Sequence, residues 1–208
     1  MVKYFHYHVL GEDPFDDKLI SKRCNHFSAN EVRCKKRCMI GLGKCWIHLL
    51  SDNSLRIKKS NFLTQKNING LGLYAMHKDP KKRNGTSKIF KKKKLICHYN
   101  GEVIDQATLD DRYTEEDYTA PYAVSFRKKN GIQKYEDAAL LRGVGSLINH
   151  TDNQGQVNCK LKQFKNKIII EATKDIKDGT ELLTNYGNAY LLNEANVRTS
   201  TNNRKLHV

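Results

Sequence analysis

The feature that most constrains the fold is the length of the apolar runs, which from Phe62 onward are short and separated by glycine-containing or charged segments. Short runs of this kind, bounded by turn residues, are typical of strands. They predict strands at 71–76, 95–99, 122–126 and 168–172. The sequence holds no long amphipathic helix pattern, no internal repeat and no run of about 18 apolar residues that could span a membrane. The pattern therefore predicts a mostly β fold.

The segments between these strands have their own composition. Residues 78–94 are predicted to form a basic loop or hairpin, residues 105–118 a short helix beginning at Asp105, and residues 175–182 a turn closed by Gly179. The polar stretch 51–61 has the composition of a connector. The polar residues after Asn193 are expected to fray.

A cluster of cysteines near the N-terminus indicates a metal site. Four of the six cysteines lie between positions 24 and 45, and one histidine follows closely, which gives Cys24, Cys34, Cys38, Cys45 and His48 as candidates. Tetrahedral zinc takes four thiolate or imidazole ligands, so five candidates compete for four places. A segment of about 50 residues has too small a core to fold alone without such a metal. The alternative is that these are buried free thiols.

The spacing resembles that of small zinc modules written C…C…C-x2-H. The resemblance implies Cys24, Cys34, Cys45 and His48 as the ligands, with Cys38 in place of Cys24 or Cys34 as the alternative. Because protein side chains would fill all four positions, no place is left for a reactive water, and the zinc is expected to be structural.

The charge is distributed unevenly along the chain. The formal net charge is +15, yet residues 101–208 carry equal numbers of basic and acidic side chains, so the whole excess lies in residues 1–100. Such an excess usually indicates an acidic partner, most often nucleic acid. Within the neutral half, residues 102–118 hold seven acidic side chains and one arginine. This acidic stretch is either a solvated loop or a docking surface for a basic peptide.

Three motifs follow one another in order along the chain. The first is Asn69-Gly70-Leu71-Gly72-Leu73-Tyr74-Ala75, and the second is Tyr99-Asn100-Gly101-Glu102-Val103-Ile104. The third contains Gly145-Ser146-Leu147-Ile148-Asn149-His150 and Val157-Asn158-Cys159, and ends in Glu181-Leu182-Leu183-Thr184-Asn185-Tyr186-Gly187. In this order the motifs resemble the SET domain, the fold of most protein lysine methyltransferases.

The resemblance covers roughly residues 67–192 and is strongest to the compact SET enzymes of large DNA viruses. It implies small curved β-sheets, with the Asn-His segment threaded beneath another loop as a pseudoknot. We therefore expect an N-terminal zinc module and connector at 1–60, a SET domain at 61–192 and a polar tail at 193–208.

The resemblance also implies which residues form the site. Gly70, Leu71, Gly72 and Leu73 would offer backbone groups to S-adenosylmethionine, because glycine lets a ligand approach the backbone closely. Asn149 and His150 would contact this cofactor from the other side. Tyr186 would be the catalytic tyrosine and would also touch the cofactor. The substrate channel would contain Tyr122, also counted as catalytic, with Phe126, Thr184 and Tyr190.

These residue types fit the implied reaction. A lysine ε-amine has a pKa of about 10.4 and must lose its proton before it attacks a methyl group. An apolar channel beside a cationic sulfonium favours the neutral amine, and alignment of the reacting atoms supplies much of the rate. Aromatic walls suit both the aliphatic stem and the methylated cation.

The sequence departs from the usual family pattern in places. Ser146-Leu147 stands where Arg-Phe is usual, and Thr151-Asp152 follows His150 where Ser-Cys is usual. Thr184, two residues before Tyr186, stands where a Phe or Tyr often limits the number of methyl groups. Its smaller side chain predicts room for a second or third methyl.

These features predict a protein lysine methyltransferase that uses S-adenosylmethionine, carries structural zinc and modifies histone or other lysine-rich proteins. The alternatives are a decayed SET scaffold that binds chromatin or DNA, and a methyltransferase for non-histone proteins. The basic N-terminal half is expected to contact DNA or nucleosomes, a homodimer is left open, and no membrane partner is expected.

The predicted location follows from the substrate class and the N-terminus. The first residues lack the positive-then-apolar layout of a secretory signal, so we expect a protein that is not secreted and whose cysteines stay reduced. A histone substrate implies the nucleus or chromatin, in an infected host cell if the protein is viral.

Overall fold

The computed structural model describes residues 23–38, 43–63, 69–113, 120, 122–139 and 143–187. The predicted channel residue Tyr190, the predicted tail at 193–208 and the end of the acidic stretch lie outside these residues. Within them, no helix is long and apolar enough to cross a membrane.

Short strands make up most of the regular structure. Among the described residues, the helices are α1 (Trp46–Asn53) and α2 (Gln106–Arg112). The strands are β1 (Leu55–Leu63), β2 (Asn69–Ala75), β3 (Lys88–Phe90), β4 (Leu95–His98), β5 (Glu102–Ile104), β6 (Ala123–Arg127), β7 (Gln133–Asp137), β8 (Asn149–His150), β9 (Cys159–Phe164), β10 (Lys167–Ala172), β11 (Ile176–Lys177) and β12 (Leu183–Thr184). Two 3-10 turns lie at Pro80–Lys82 and Val144–Leu147. The predicted mostly β fold is confirmed.

The strands pair into small sheets of two or three members. Their orders are β1-β2, β4-β10-β9, β11-β3, β12-β8 and β5-β7-β6. Among these pairs, β8 and β12 run parallel and the others run antiparallel. The four predicted strands correspond to β2, β4, β6 and β10, with ends that differ by no more than two residues.

The prediction that residues 51–61 form a connector is wrong. Residues 51–53 end α1, and Leu55–Leu63 form β1, which pairs with β2 from Leu55↔Ala75 to Leu63↔Asn69. Leu55 and Ile57 are buried while Lys58 and Lys59 are exposed, so the polar composition hides a strand with only one buried face. Position 60, the expected module boundary, lies inside this strand.

The other local predictions fared better. Asp105 caps α2, because its carboxylate accepts a hydrogen bond from the Thr108 backbone N–H at 3.0 Å. The basic segment 78–94 contains β3 and the first 3-10 turn. Gly179 has a φ of 77°, in the left-handed region that the turn before Glu181 requires.

One hydrophobic core joins these sheets. It includes Leu55 and Ile57 of β1, Leu73 of β2, and Ile168 and Ile170 of β10, all buried. Burying a Leu or Ile side chain contributes about 1.5–3 kcal/mol to stability. The buried positions Leu55 and Ile57 therefore determine which face of β1 packs against the core.

The buried segment 143–150 crosses the core at close range. A Cβ on Gly143 would lie 2.0 Å from the Tyr99 carbonyl oxygen, and one on Gly145 would lie 2.8 Å from the His98 carbonyl oxygen. Glycine is therefore required where this segment passes the end of β4. The crossing delivers Asn149 to β12, where it pairs with Leu183.

Candidate active site and metal centre

Asn149 joins β8 to the first motif on β2. Its Nδ2 donates to the Leu71 carbonyl oxygen at 3.1 Å, to Ser60 Oγ at 3.1 Å and to Glu181 Oε1 at 2.9 Å. An amide has two N–H donors, and both are directed into this group of acceptors. The orientation of the Asn149 amide is therefore fixed by the protein.

Glu181 is the centre of this network, although it lies in the third motif without a predicted role. Its carboxylate is buried and also accepts from Ser60 Oγ at 2.7 Å, the Asn61 backbone N–H at 3.0 Å and the Tyr74 hydroxyl at 2.9 Å. Burial, with the neighbouring Glu181 carboxylate, raises the pKa of Tyr74. A buried carboxylate is tolerated when donors surround it in this way.

Gly72 is packed closely against two side chains of this network. A Cβ there would lie 2.2 Å from Glu181 Oε1 and 3.2 Å from Asn149 Nδ2. The space beside Gly72 is thus filled by two side chains of the protein, and the glycine serves their close packing. The carbonyl oxygen of neighbouring Leu73 accepts from the Leu182 N–H at 2.7 Å, and its side chain is wholly buried.

His150 and Tyr186 are held together. The Tyr186 backbone N–H donates to His150 Nδ1 at 3.1 Å, which leaves His150 Nε2 to donate to Asp152 at 2.9 Å. This pattern assigns a neutral imidazole with its proton on Nε2. The two rings lie 5.2 Å apart, and the Tyr186 hydroxyl donates to the Ile148 carbonyl oxygen.

The remaining predicted channel residues fall in two places. Thr184 is buried on β12 and pairs with His150, so it belongs to the group around Tyr186. Phe126 is buried on β6, and half-buried Tyr122 precedes that strand. The Tyr122 carbonyl oxygen accepts from the Tyr99 hydroxyl at 2.8 Å, which fixes the backbone there.

A second buried carboxylate network lies away from Asn149. Glu136 accepts from the backbone N–H groups of Gly101 at 3.1 Å and Ile168 at 2.7 Å. Neighbouring Asp137 accepts from Arg112 Nη1 at 2.5 Å. Arg112 also binds Glu102 at 2.8 Å, so the acidic stretch is partly neutralised from within.

The four cysteine and histidine residues chosen from the sequence converge. The ligand atoms of Cys24, Cys34, Cys45 and His48 all lie within 4.8 Å of one another. His48 Nδ1 is 3.4 Å from Cys24 Sγ and 3.3 Å from Cys45 Sγ. Cys45 precedes α1 and His48 lies three residues later, where helix geometry brings the two side chains to the same face. Cys38 is buried but lies outside this group.

Thiol chemistry at this cluster favours a metal ligand. Burial alone would raise the pKa of Cys24, but hydrogen bonds, the first from the Cys45 N–H at 3.2 Å, bring it below the ordinary value. Burial raises the pKa of Cys45, and the Cys24 thiolate adds to this effect. A set of three thiols and one imidazole matches the donor preference of zinc.

A group of polar residues lies next to His48 and links it to the Asp52 carboxylate through His26. The His26 ring stacks on His48 with centroids 3.6 Å apart, and His26 Nδ1 lies 3.1 Å from Asp52. Lys44 Nζ binds the same carboxylate at 2.6 Å. Burial would raise the pKa of Asp52, but the hydrogen bond from Lys44 and those from Ser51 and His26 hold it well below its usual range.

Comparison with solved structures finds chains that are similar to part of this one. Two structures of the polycomb repressive complex 2 of Chaetomium thermophilum match at 24% identity and a TM-score of 0.46; the first covers 65% of this chain and 15% of the other, and the second, described as autoinhibited and bound to S-adenosylmethionine, covers 69% and 17%. SET8 of Cryptosporidium matches at 23% identity and a TM-score of 0.43, over 64% of this chain and 57% of the other.

This chain thus spans less than a fifth of the polycomb chains it resembles. No curated protein matches it. The profile of the SET domain family matches residues 86–187, from the basic segment to the glycine after Tyr186. The small sheets from β3 to β12 and the Asn149–His150 segment lie within these matched residues.

Proposed function

We propose that the protein is a lysine N-methyltransferase that uses S-adenosylmethionine and acts on basic protein tails of the histone type. The observation that carries the proposal is the position of Asn149 next to His150, whose Nδ1 accepts from the Tyr186 backbone N–H, within the residues that the SET domain profile matches. Parallel pairing of β8 with β12 holds the Asn-His pair against the chain that leads to Tyr186.

The residues beside β2 fit the proposed cofactor. S-adenosylmethionine supplies a methyl group made electrophilic by its sulfonium. Asn149 directs both amide hydrogens toward Leu71, Ser60 and Glu181, which leaves its carbonyl oxygen to accept from an amino group. Gly70, Leu71, Asn149 and His150 would hold the cofactor, and Gly72 would act through the packing of Glu181.

The Tyr186 hydroxyl would act toward a substrate as a hydrogen-bond acceptor. Because its hydrogen is donated to the Ile148 carbonyl oxygen, its own oxygen faces a substrate as an acceptor. A lysine amine that donates to this oxygen keeps its lone pair free for attack. Orientation of this kind accounts for large rate factors when the reacting groups are held in line.

The test compares the wild-type protein with Tyr186→Phe on core histones, using cofactor labelled in the methyl group. The wild type should transfer label, and the variant should lose rate on the order of 100-fold, the size seen when one well-placed catalytic hydrogen bond is removed. Tyr135→Phe is the matched control, because Tyr135 lies on β7 and its hydroxyl contacts Gln106 and Gln133 rather than a residue of the proposed site. No transfer by the wild type, with no cofactor binding by calorimetry, would leave the decayed scaffold instead.

We also propose that Cys24, Cys34, Cys45 and His48 hold one structural zinc ion. The four donor atoms lie close enough to share one ion, and a closed set of protein ligands serves folding rather than catalysis. Asp52 and His26 would orient His48, as outer partners of metal-bound histidines generally do. With histone tails as substrates, we place the protein at chromatin. Its similarity to viral enzymes stays a prediction from the sequence.

A further inference from the structure

Two basic segments, far apart in sequence, form one surface outside the proposed active site. Residues 77–94 and 173–178, here called the lysine face, carry eleven basic and three acidic side chains, a net charge of +8. All eleven basic side chains are exposed. This surface therefore holds more than half of the net charge of the whole protein.

Backbone contacts join the two segments. β3 pairs with β11, so that Lys88 lies opposite Lys177. The Asp178 N–H donates to the Ser87 carbonyl oxygen at 2.8 Å, and the Lys93 N–H donates to the Ala172 carbonyl oxygen at 2.8 Å. The positions of these lysines are consequently set by the sheet and its turns.

The acidic side chains of the lysine face are engaged within it. Asp178 is buried and accepts from the His77 N–H at 2.7 Å and the Gly85 N–H at 3.2 Å. Asp175 binds Lys88 Nζ at 2.5 Å and accepts from the Lys92 N–H at 2.8 Å. Asp79 accepts from the Lys81 N–H at 3.0 Å. These carboxylates hold the loops in place and leave most of the lysines without an acidic neighbour on this face.

We propose that the lysine face binds the phosphate backbone of double-stranded DNA. Crowded cations repel one another, and a regular polyanion relieves that repulsion with release of its counterions. Binding of single strands generally relies on exposed aromatic rings that stack on bases. The only Phe, Tyr or Trp in these segments is Phe90, which is buried, so the surface offers charge without a stacking platform.

The lysine face is separate from the proposed methyl-transfer site. β2 connects the two, because its start carries Leu71 and its end leads to His77, and the Gly179 N–H returns to the Ala75 carbonyl oxygen. Six residues of extended chain span about 20 Å. The proposal stands on this surface alone and does not depend on methyl transfer.

The experiment measures binding of a fluorescent 20-base-pair duplex of random sequence by anisotropy across a salt series. For the wild type, the logarithm of the binding constant should fall steeply with the logarithm of salt concentration. Replacing Lys91, Lys92 and Lys94 by Gln should reduce that slope by up to about 3, since each lost phosphate contact removes about 0.9. Lys177→Gln should reduce it by up to about 1, although this residue lies in the half that is neutral overall.

The matched control replaces Lys128, Lys129 and Lys167 by Gln. It removes the same charge, but Lys167 begins β10 while the lysine face follows the end of that strand, and the Arg127 N–H contacts Gln163 of β9 near the same distant end. The control should bind the duplex almost as the wild type does, and thermal melting verifies that each variant is folded. An equal loss in the control, an unchanged triple variant, or tighter binding of single-stranded RNA than of the duplex would overturn the proposal.

Discussion

At the scale of single residues, Glu181 holds the proposed site together by accepting hydrogen bonds from four residues. Its two carboxylate oxygens accept from Ser60, Asn61, Tyr74 and Asn149. Removing its charge while keeping its shape would set an amide N–H against donors, at a cost of about 1–3 kcal/mol. The Asn149 amide would lose the partner that fixes its orientation.

We therefore expect Glu181→Gln to raise the dissociation constant for S-adenosylmethionine, measured by calorimetry well below the melting temperature. Glu136→Gln is the control, because Glu136 is an equally buried carboxylate that accepts from the backbone of Gly101 and Ile168. Both variants should have a lower melting temperature than the wild type, and only Glu181→Gln should bind the cofactor more weakly. Equal weakening in both would assign Glu181 a purely structural role.

Residues that act through neighbours are hard to find in a sequence. Asn149, His150 and Tyr186 belong to a motif that can be identified from the order of its residues alone. Glu181 lies in the third motif, but its hydrogen bond with Ser60 depends on β1, a strand whose polar composition is that of a connector. The close packing of Gly72 against Glu181 was not predictable either, because more than a hundred residues separate the two in the sequence.

At the scale of elements, the Cys/His cluster connects α1 to residues 23–37, where Arg23 bridges Arg37 and Phe27 bridges Arg33 in antiparallel pairs. Cys45 occupies the N-cap of α1 without a side-chain capping hydrogen bond, and its thiol lies beside His48 instead. The geometry includes Cys24 and Cys34 and omits Cys38, which the sequence allowed in place of either.

Purified protein should accordingly contain close to one zinc per chain by metal analysis. Cys45→Ser should lower that content and the melting temperature together, because a ligand is lost and apo modules of this size rarely fold. Cys38→Ser should keep the metal, and it controls for loss of a buried thiol. Metal-free protein with an unchanged melting temperature would refute the zinc proposal.

The cap of α2 makes a prediction about acid. The side-chain and backbone hydrogen bonds from Thr108, with Lys134 nearby, lower the pKa of Asp105 to about 2. A depressed carboxyl pKa stabilises the folded state above the unfolded value, and that contribution is lost as pH falls from about 4 toward 2. Amide exchange at Thr108 should accelerate in that window relative to the intrinsic rate of an unprotected amide. Asp105→Asn should remove the step, whereas Asp110→Asn should leave it; a step that persists in Asp105→Asn would contradict the assignment.

Element prediction succeeded where one physical signal dominated. Apolar runs identified β2, β4, β6 and β10, and a capping residue identified the start of α2. Short strands rich in charge, such as β9 with Cys-Lys-Leu-Lys-Gln-Phe, contain neither an apolar run nor a capping residue. Their composition is dominated by the polar side chains of the exposed face. Their place is decided by pairing with β10.

At the scale of the whole molecule, division of the charge along the sequence gave an incomplete result. Residues 101–208 are neutral overall, yet Lys174 and Lys177 join the lysine face through β11. The acidic stretch in that half is partly engaged by Arg112 and Lys134. Folding sorts charge by surface, and sequence position alone could not predict which charges share one.

The two proposals together predict how substrate context governs activity. If the lysine face holds DNA at about 20 Å from Leu71 along β2, a histone tail on a nucleosome is delivered near Tyr186 by that contact, while a free peptide is not. Replacing Lys91, Lys92 and Lys94 by Gln should then raise KM for nucleosomes on the order of tenfold at low salt, and leave kcat/KM for a free histone peptide unchanged. Raising the salt concentration should reduce the difference between wild type and variant, because screening weakens exposed charges. An equal loss on the peptide would mean that these lysines act on the catalytic site itself, and equal nucleosome kinetics in both proteins would separate DNA binding from catalysis.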